Sequence, residues 1–232
     1  YQKQQEYQWG MTLGGPIIKN KLFFFVNYEN TNKTYPNLNG YRQSGSRVNP
    51  DEADDVMQKI KDMAQRQGLS YDGTFANPDI YTKSNKFGAK IDWNINDFNK
   101  FSFRWSYVDA KQLNVVSSAS SLNDDHYYFP FTSKTNSFTA ELQSRLSPVV
   151  SNEARVSYVR VRDKRNVSSA FPMISLQVTG GSVNIGNERS SMANSLDQDI
   201  YTIEDNLTWY KGNHTYTFGT HNEFYKFANL FI

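Results

Sequence analysis

The chain has 232 residues, with 25 Lys and Arg against 23 Asp and Glu, so its net charge of +2 does not suggest a nucleic-acid-binding surface. Its 3 His and 0 Cys exclude zinc fingers, thiolate catalysis and disulfide frameworks. Aromatic residues reach 15% although hydrophobic residues make up only 38% and the mean hydropathy is −0.69, so much of the apolar surface is aromatic and lies between polar residues.

Apolar and polar residues alternate with a period of two along much of the chain, which predicts strands whose two faces differ in polarity. In residues 101–107, for example, Phe101, Phe103, Trp105 and Tyr107 alternate with polar residues. Most of the predicted strands have about 10 residues or more, and a tilted strand needs ~9–11 residues to cross a membrane. Eight strands are predicted, at residues 5–14, 21–31, 84–95, 98–109, 133–147, 152–165, 199–210 and 213–228.

Short and long connections alternate between these strands. The short connections are expected at 15–20, 96–97, 148–151 and 211–212, which contain residues typical of turns. The connections between them have about 50, 20 and 30 residues, which is the rhythm of a transmembrane β-barrel with short periplasmic turns and long extracellular loops. The last long connection is expected to contain a short additional strand within residues 171–178.

The first long connection contains a predicted helix. Asn49 is its expected N-cap, Pro50 is its first residue and Gly68 ends it. Acidic residues crowd the first turn, where the helix dipole favours anions. They are Asp51, Glu52, Asp54 and Asp55. The predicted apolar stripe of the helix comprises Val56, Ile60, Met63 and Ala64.

The apolar faces of the predicted strands are rich in aromatic residues. A closed barrel in a bilayer has an apolar outer face that is flanked by girdles of aromatic side chains. The candidates for lipid-facing or girdle positions are Trp9, Phe24, Tyr28, Trp93, Phe103, Trp105, Tyr107 and Trp209. The alternative is a soluble β-sandwich whose core these aromatic residues fill, and the strand lengths and the asymmetry of the connections argue against it.

The polar faces of the same strands carry charged residues that are candidates for the lumen of a barrel. They are Lys90, Asp92, Arg104, Glu141, Arg145 and Glu204, and Lys100 and Arg155 lie on or near the same faces. Two interpretations stay open. In the first, these side chains contact a plug and a passing substrate. In the second, they hydrogen bond to one another inside a water-filled barrel and have no role in selectivity.

The order of the connections places the start of the first strand and the end of the last strand on the long-loop side. A complete bacterial barrel with short periplasmic turns has both chain ends in the periplasm. We therefore expect an all-β fold in which residues 1–232 form about eight consecutive strands of a larger transmembrane antiparallel β-barrel. Its extracellular loops are long, and one of them contains the short α-helix. The alternative is a self-contained eight-stranded barrel.

The segment from Gly14 to Glu29, GGPIIKNKLFFFVNYE, resembles a strand-turn-strand segment of Oar-like TonB-dependent outer-membrane receptors, which are common in Bacteroidetes. In that family, GGPI precedes a short turn and a strand that reads LFFF and is followed by an aromatic-acidic pair, here Tyr28 and Glu29. Residues 87–93, FGAKIDW, are similar to the next strand of that family. The remainder of the chain agrees with the family in rhythm alone.

This resemblance implies a barrel of about 22 strands that is closed by a plug domain. In such receptors, energy delivered by TonB drives the import of a ligand that the extracellular loops bind. The plug and the TonB box are expected to lie outside residues 1–232. The implied location is the outer membrane of a Gram-negative bacterium. The implied partners are the lipid bilayer with its lipopolysaccharide, the TonB complex, a peptide or protein substrate and a surface lipoprotein.

We expect no enzymatic activity, no cofactor and no nucleic-acid partner. The alternative function is that of a structural or adhesion component in an outer-membrane assembly. Asp124, Asp125 and His126 are adjacent in the second long connection. Together with the acidic residues of the first turn of the predicted helix, they are the residues from which a calcium or other metal site would be built. Their spacing does not match a calcium-binding loop, so a solvated acidic loop is preferred. No Ser-His-Asp arrangement or Gly-rich phosphate loop supports a catalytic site.

Overall fold

The computed structural model describes residues 3–167, 169–191 and 193–231, which form a large antiparallel sheet, a small second sheet and a helix. The strands and the helix, in chain order, are β1 (Gln5–Ile18), β2 (Leu22–Tyr35), α1 (Pro50–Arg66), β3 (Ile80–Asn96), β4 (Asn99–Asn114), β5 (Ser121–Asn123), β6 (Phe129–Ser147), β7 (Val150–Arg165), β8 (Ile174–Val178), β9 (Gly181–Ile185), β10 (Ser195–Lys211) and β11 (His214–Leu230).

The large sheet has the strand order β1-β2-β3-β4-β6-β7-β10-β11, and every pair of neighbours is antiparallel. These are the eight strands that the sequence predicts, joined by four short hairpin turns, and the all-β prediction is confirmed. Within the described residues the sheet is open, because β1 and β11 are its two edges and do not pair with each other. The alternative of a self-contained eight-stranded barrel is therefore not favoured.

The first hairpin turns later than the sequence predicts. Gly15 and Pro16 continue β1 instead of starting the turn, and they pair with Phe24 and Phe23. The turn itself comprises residues 19–21, in which Asn20 has a φ of 61°. Pro lacks a backbone N–H, and it is tolerated here because β1 is an edge strand with an irregular register after Pro16.

The three long connections fold together into one unit at the end of the sheet opposite the hairpin turns. We call this unit the cap and define it as residues 36–79, 115–128 and the described residues of 166–194. It contains α1 and a three-stranded sheet with the order β5-β9-β8, in which β5 and β9 are parallel. The additional strand expected within residues 171–178 is present as β8. The buried core of the cap consists of Val48, Ala53, Met57, Ile60, Ala64, Tyr71, Leu122, Val183 and Ile185.

The helix of the cap begins and ends as its sequence predicts, but its buried stripe differs. The Asn49 side chain accepts hydrogen bonds from the backbone N–H groups of Asp51 (3.0 Å) and Glu52 (3.3 Å). Met63 was expected in the apolar stripe and is 52% exposed, and Val56 is only partly buried. The buried stripe keeps two of the four predicted residues, and its members follow a helical spacing of four, three and four residues. They are Ala53, Met57, Ile60 and Ala64.

Among the residues that the structure describes, no helix is long and apolar enough to cross a membrane.

Candidate functional site

The register of the large sheet separates the two sets of candidate residues onto opposite faces. Residues paired across neighbouring strands point to the same side, so one row joins Phe24, Ile91, Phe103, Ala140 and Val156. We call the side of this row the aromatic face. It also contains the other aromatic candidates, which are Trp9, Tyr28, Trp93, Trp105, Tyr107 and Trp209. The opposite side, the charged face, contains Lys90, Asp92, Arg104, Glu141, Arg145 and Glu204.

The apolar band on the aromatic face crosses the rows of paired residues obliquely. On β4 the band extends from Phe101 to Tyr107. Cross-strand pairing aligns Phe101 with Asp205 of β10, and it aligns Tyr107 with Asp199 of β10. On β10 the band extends instead from Tyr201 to Trp209, so it has moved towards the hairpin turns. Asp205 is a break within it, and its carboxylate accepts a hydrogen bond from the Asn152 side chain at 2.7 Å. Strands in a barrel are tilted by roughly 35–45°, so a band that is level in a membrane must cross the rows in this way.

Aromatic rings form a continuous belt across five neighbouring strands of this face. The distance between ring centroids is 5.2 Å for Phe87 and Trp105, and 6.4 Å for Trp105 and Phe138. It is 6.2 Å for Phe138 and Tyr158, and 4.8 Å for Tyr158 and Tyr201. Spacings below about 7 Å are those of interacting rings. Tyr158 was not among the sequence candidates, because only the strand register places it between Phe138 and Tyr201.

Large apolar side chains on the aromatic face stay exposed. Leu13 is 64% exposed, Phe224 is 58% exposed and Ile203 is 49% exposed. A β-sandwich buries the inner face of each sheet against the other. The aromatic residues therefore do not form the interior of a sandwich, and the face is left for an apolar environment outside the chain.

An ion-pair network lies on the charged face around Arg155. Its guanidinium nitrogens lie 2.9 Å from Glu141, 2.7 Å from Glu153 and 3.4 Å from Glu204. The His221 ring continues the row at 3.6 Å from Glu204. Three of the residues predicted on the polar faces of the strands, Arg155, Glu141 and Glu204, are thus brought together. For these residues the interpretation of mutual hydrogen bonding is favoured over the interpretation of free contact with a substrate.

The other charged candidates are less constrained. Lys90 pairs with Asp92 at 2.7 Å, and the Arg145 guanidinium lies 5.0 Å from the centre of the Phe98 ring. In the described part of the chain, Arg104 has no ion pair within 4 Å. Arg145 also lines a cavity of about 460 Å³ at the hairpin end of this face. Other residues lining that cavity are Lys100, Glu153, Asn206 and Tyr210.

A second cavity, of about 410 Å³, lies between the cap and the long-loop ends of β1 and β2. Four of the residues lining it carry side-chain amides, which both donate and accept hydrogen bonds. They are Gln5, Asn37, Gln43 and Asn77. The remaining lining residues are Lys3, Thr34, Pro36 and Asp79. We call this cavity the amide-lined cleft.

Asp124 connects all three loops of the cap from a buried position. Its carboxylate accepts a short hydrogen bond from the Tyr71 hydroxyl, and it accepts the backbone N–H groups of Tyr127 (3.1 Å) and Gly186 (3.3 Å). Gly186 has a φ of 89°, and a Cβ atom there would meet the Pro172 carbonyl oxygen at 2.3 Å. The expectation of a solvated acidic loop is wrong for Asp124, which is fully buried. Two of its hydrogen-bond partners, Tyr71 and Gly186, lie far away in the sequence.

Burial sets the protonation of this carboxyl group. Removal from water raises the pKa of Asp124 to about 7, and the hydrogen bond from the Gly186 N–H opposes the rise. At the exposed edge of the cap, Glu52 shows the opposite direction. The backbone N–H of Thr179 donates to its carboxylate at 2.8 Å and lowers the pKa of Glu52. That bond joins the start of α1 to the third loop.

The acidic residues do not assemble into a metal centre in the described residues, where no group of three or more His, Asp and Glu side chains is placed to hold an ion. Asp51 and Asp54 instead lie near Arg42, at 2.8 Å and 3.4 Å. Asp125 accepts hydrogen bonds from the backbone N–H and hydroxyl of Thr74. These contacts join α1 to Arg42 and the second loop to Thr74 of the first loop.

Comparison with known proteins identifies the fold. The profile of a family described as outer membrane beta barrel domain matches residues 1–43 and 30–231. The structure is similar to the crystal structure of the outer membrane transporter YddB from Escherichia coli, with a TM-score of 0.58 and 10% sequence identity. That match covers 95% of this chain and 25% of the transporter, so the chain spans about a quarter of its length. A search of curated proteins finds no match.

Proposed function

The chain belongs to the family of outer membrane beta barrel domains, and we propose that it supplies part of the barrel and of the extracellular ligand-binding surface of a TonB-dependent transporter. The family and the similarity in fold to an outer-membrane transporter place the chain in the outer membrane of a Gram-negative bacterium. Oar-like character and TonB dependence are parts of the proposal, and the GGPIIKNKLFFFVNYE segment supports them.

In this proposal, the aromatic face contacts lipid, the charged face lines the lumen and the cap lies outside the cell. Barrels of this kind have short periplasmic turns, long extracellular loops and an apolar outer face. The oblique apolar band supports the assignment of the aromatic face to lipid. The Arg155 network supports the assignment of the charged face to a water-filled interior, because an isolated cluster of charges would be costly against hydrocarbon.

The observation that carries the proposed function is the cap. Loops that fold around one core present a surface that is already ordered before a ligand arrives, which lowers the entropic cost of binding. The amide-lined cleft lies beside this core. Two of its amides also bond within the cap, since the Asn37 NH2 donates to the Ser117 hydroxyl and the Asn77 NH2 donates to the Tyr41 carbonyl oxygen. The exposed Gln5 amide offers both a donor and an acceptor to a ligand. A peptide backbone offers the matching groups, one N–H and one C=O per residue, so we propose a peptide, or an extended segment of a protein, as the substrate.

The proposal includes no catalysed reaction. A plug and the TonB complex would couple transport to energy, and a surface lipoprotein would assist capture of the substrate. A structural or adhesion role is the competing function, and uptake separates the two.

Deletion of the gene for the full-length protein is expected to abolish uptake of a fluorescent peptide pool prepared by tryptic digestion of casein. Complementation should restore uptake, and a protonophore should abolish it again. In the cleft variant Gln5→Ala/Asn77→Ala, uptake should fall tenfold or more because the amide contacts to the peptide are lost.

The matched control is Gln58→Ala/Gln65→Ala, which removes two amides from the exposed side of α1 and should leave uptake unchanged. Unchanged uptake in the deletion strain would contradict the transport proposal and favour the structural or adhesion role.

A further inference from the structure

A cluster of basic side chains lies on the aromatic face, on the long-loop side of the aromatic belt. We call it the basic cluster. Its members, placed on this face by the strand register, are Lys83, Lys111, Lys134, Arg160, Arg162, Lys164 and Lys226. The acidic residues of the same region are Asp109, Asp197 and Asp199. Seven basic residues against three acidic ones leave an excess of four positive charges.

Only two members of the cluster have acidic partners within the described residues. Arg162 pairs with Asp199 at 2.9 Å and with Asp197 at 3.5 Å. Lys134 lies 3.9 Å from Asp109. The other five members have no ion pair within 4 Å in the part of the chain that the structure describes. Arg160 and Lys226 are cross-strand neighbours of Asp199, so the positive charge without a nearby acidic residue is concentrated in Lys83, Lys111 and Lys164.

Like charges also lie directly opposite each other in this cluster. Lys83 is the cross-strand partner of Lys111, and Lys134 is the cross-strand partner of Arg162. Directly opposed like charges destabilise an antiparallel pair. These two pairs lie in neighbouring rows of the same face and are stabilised if anions bind between them.

The position of the cluster indicates which anion. The belt of Phe87, Trp105, Phe138, Tyr158 and Tyr201 lies next to it towards the hairpin turns, and aromatic girdles lie at the boundary between hydrocarbon and headgroups. The basic cluster consequently lies at headgroup level. Long Lys and Arg side chains place their charged ends there, and they bind phosphate groups by charge-assisted hydrogen bonds.

We propose that the basic cluster binds the phosphate groups of lipopolysaccharide in the outer leaflet. The proposal rests on the orientation given under the proposed function, with the cap outside the cell and the aromatic face towards lipid. It does not depend on which ligand the protein transports. The apolar belt would contact the acyl chains of the same lipid molecule, and the Lys83/Lys111 and Lys134/Arg162 pairs would contact its phosphates.

The test measures binding of purified lipopolysaccharide to the full-length protein in detergent by native mass spectrometry. In Lys83→Gln/Lys111→Gln/Lys164→Gln, the affinity is expected to fall at least tenfold. The matched control Lys19→Gln/Lys21→Gln/Lys211→Gln removes the same charge at the hairpin end and should bind as the unmodified protein does. Dephosphorylated lipopolysaccharide should bind at least tenfold more weakly. Inorganic phosphate should compete only at concentrations far above that of the lipid.

Equal binding by the cluster variant and the control, or equal binding of the dephosphorylated lipid, would overturn the proposal. Preferential binding of free phosphate would show an anion site that is not specific for lipid and would overturn it as well. If the triple variant does not fold, the single variant Lys111→Gln should still show a smaller increase in Tm on addition of lipopolysaccharide. Intact lipid binding together with a negative peptide-uptake result would reject the transport proposal alone.

Discussion

Val156→Arg is expected to destabilise the folded protein in a bilayer by about 2–4 kcal/mol, the cost of an Arg near the middle of the lipid-facing side of a barrel. Val156 is in the row that joins Phe24, Ile91, Phe103 and Ala140, in the middle of the apolar band. It is 51% exposed in the chain, so an Arg there meets lipid and not a protein core. Urea-dependent folding of the full-length protein into phospholipid vesicles measures the change.

The adjacent residue provides the control for this prediction. Ser157 points to the charged face, where it lies in the row of Arg104 and Thr139. Ser157→Arg should change the free energy of unfolding by about 1 kcal/mol or less, because the new side chain enters a polar surface. Equal costs for the two variants, or a larger cost for Ser157→Arg, would show that the aromatic face does not contact lipid.

Asp124→Leu is expected to unfold the cap while leaving the large sheet assembled. The substitution leaves the buried Tyr71 hydroxyl without an acceptor. It also removes one of two acceptors from each of two backbone N–H groups. The Gly186 N–H keeps the Tyr71 hydroxyl oxygen at 3.0 Å. The Tyr127 N–H keeps the Asp124 carbonyl oxygen at 3.2 Å. Each buried donor left without a partner costs roughly 1–3 kcal/mol. External protease added to intact cells should cleave the variant within the cap, although the protein still shows the heat-modifiable migration of a folded barrel. Asp55→Leu, at an exposed position of α1, should remain resistant.

The same carboxyl group makes the stability of the cap depend on pH. The pKa of Asp124 is raised to about 7 in the folded cap, against an ordinary value of 3.8. Because the folded cap holds the proton more tightly than the unfolded chain does, this contribution is present in full below pH ~4 and is lost as the pH rises through ~7. The cap should therefore resist protease better at pH 5.5 than at pH 8. This difference should be absent in Asp124→Asn, and its persistence there would assign it to another group.

The faces of the large sheet could be predicted from the sequence because they depend on the alternation within each strand. Phe101, Phe103, Trp105 and Tyr107 lie on one side whatever their neighbours are, since the pleat has a period of two. The extent of the first hairpin could not be predicted in this way. Gly15 and Pro16 have turn-forming composition, and it is their pairing with β2 that keeps them extended.

The cap and the Arg155 network depend on contacts between residues far apart in sequence. The Tyr71 hydroxyl and the Gly186 N–H reach Asp124 across 53 and 62 residues, so the local sequence Asp124-Asp125-His126 indicates only an acidic loop. Likewise, Arg155 meets Glu141 and Glu204 only because β7 lies between β6 and β10. The alternation of short and long connections predicts the order of these strands. It does not predict which residues lie opposite each other, and that pairing is what brings the three side chains together.

We propose that the aromatic face contacts lipid and that the charged face contacts water. The most direct test of this proposal is a scan of single Cys substitutions with spin labels at positions 101–107 of β4 in the full-length protein in bilayers, since these 232 residues contain 0 Cys. Collisions with oxygen, which partitions into lipid, should be frequent at 101, 103, 105 and 107, and collisions with a water-soluble nickel chelate should be frequent at 102, 104 and 106. The absence of this alternation, or its reversal, would contradict the account.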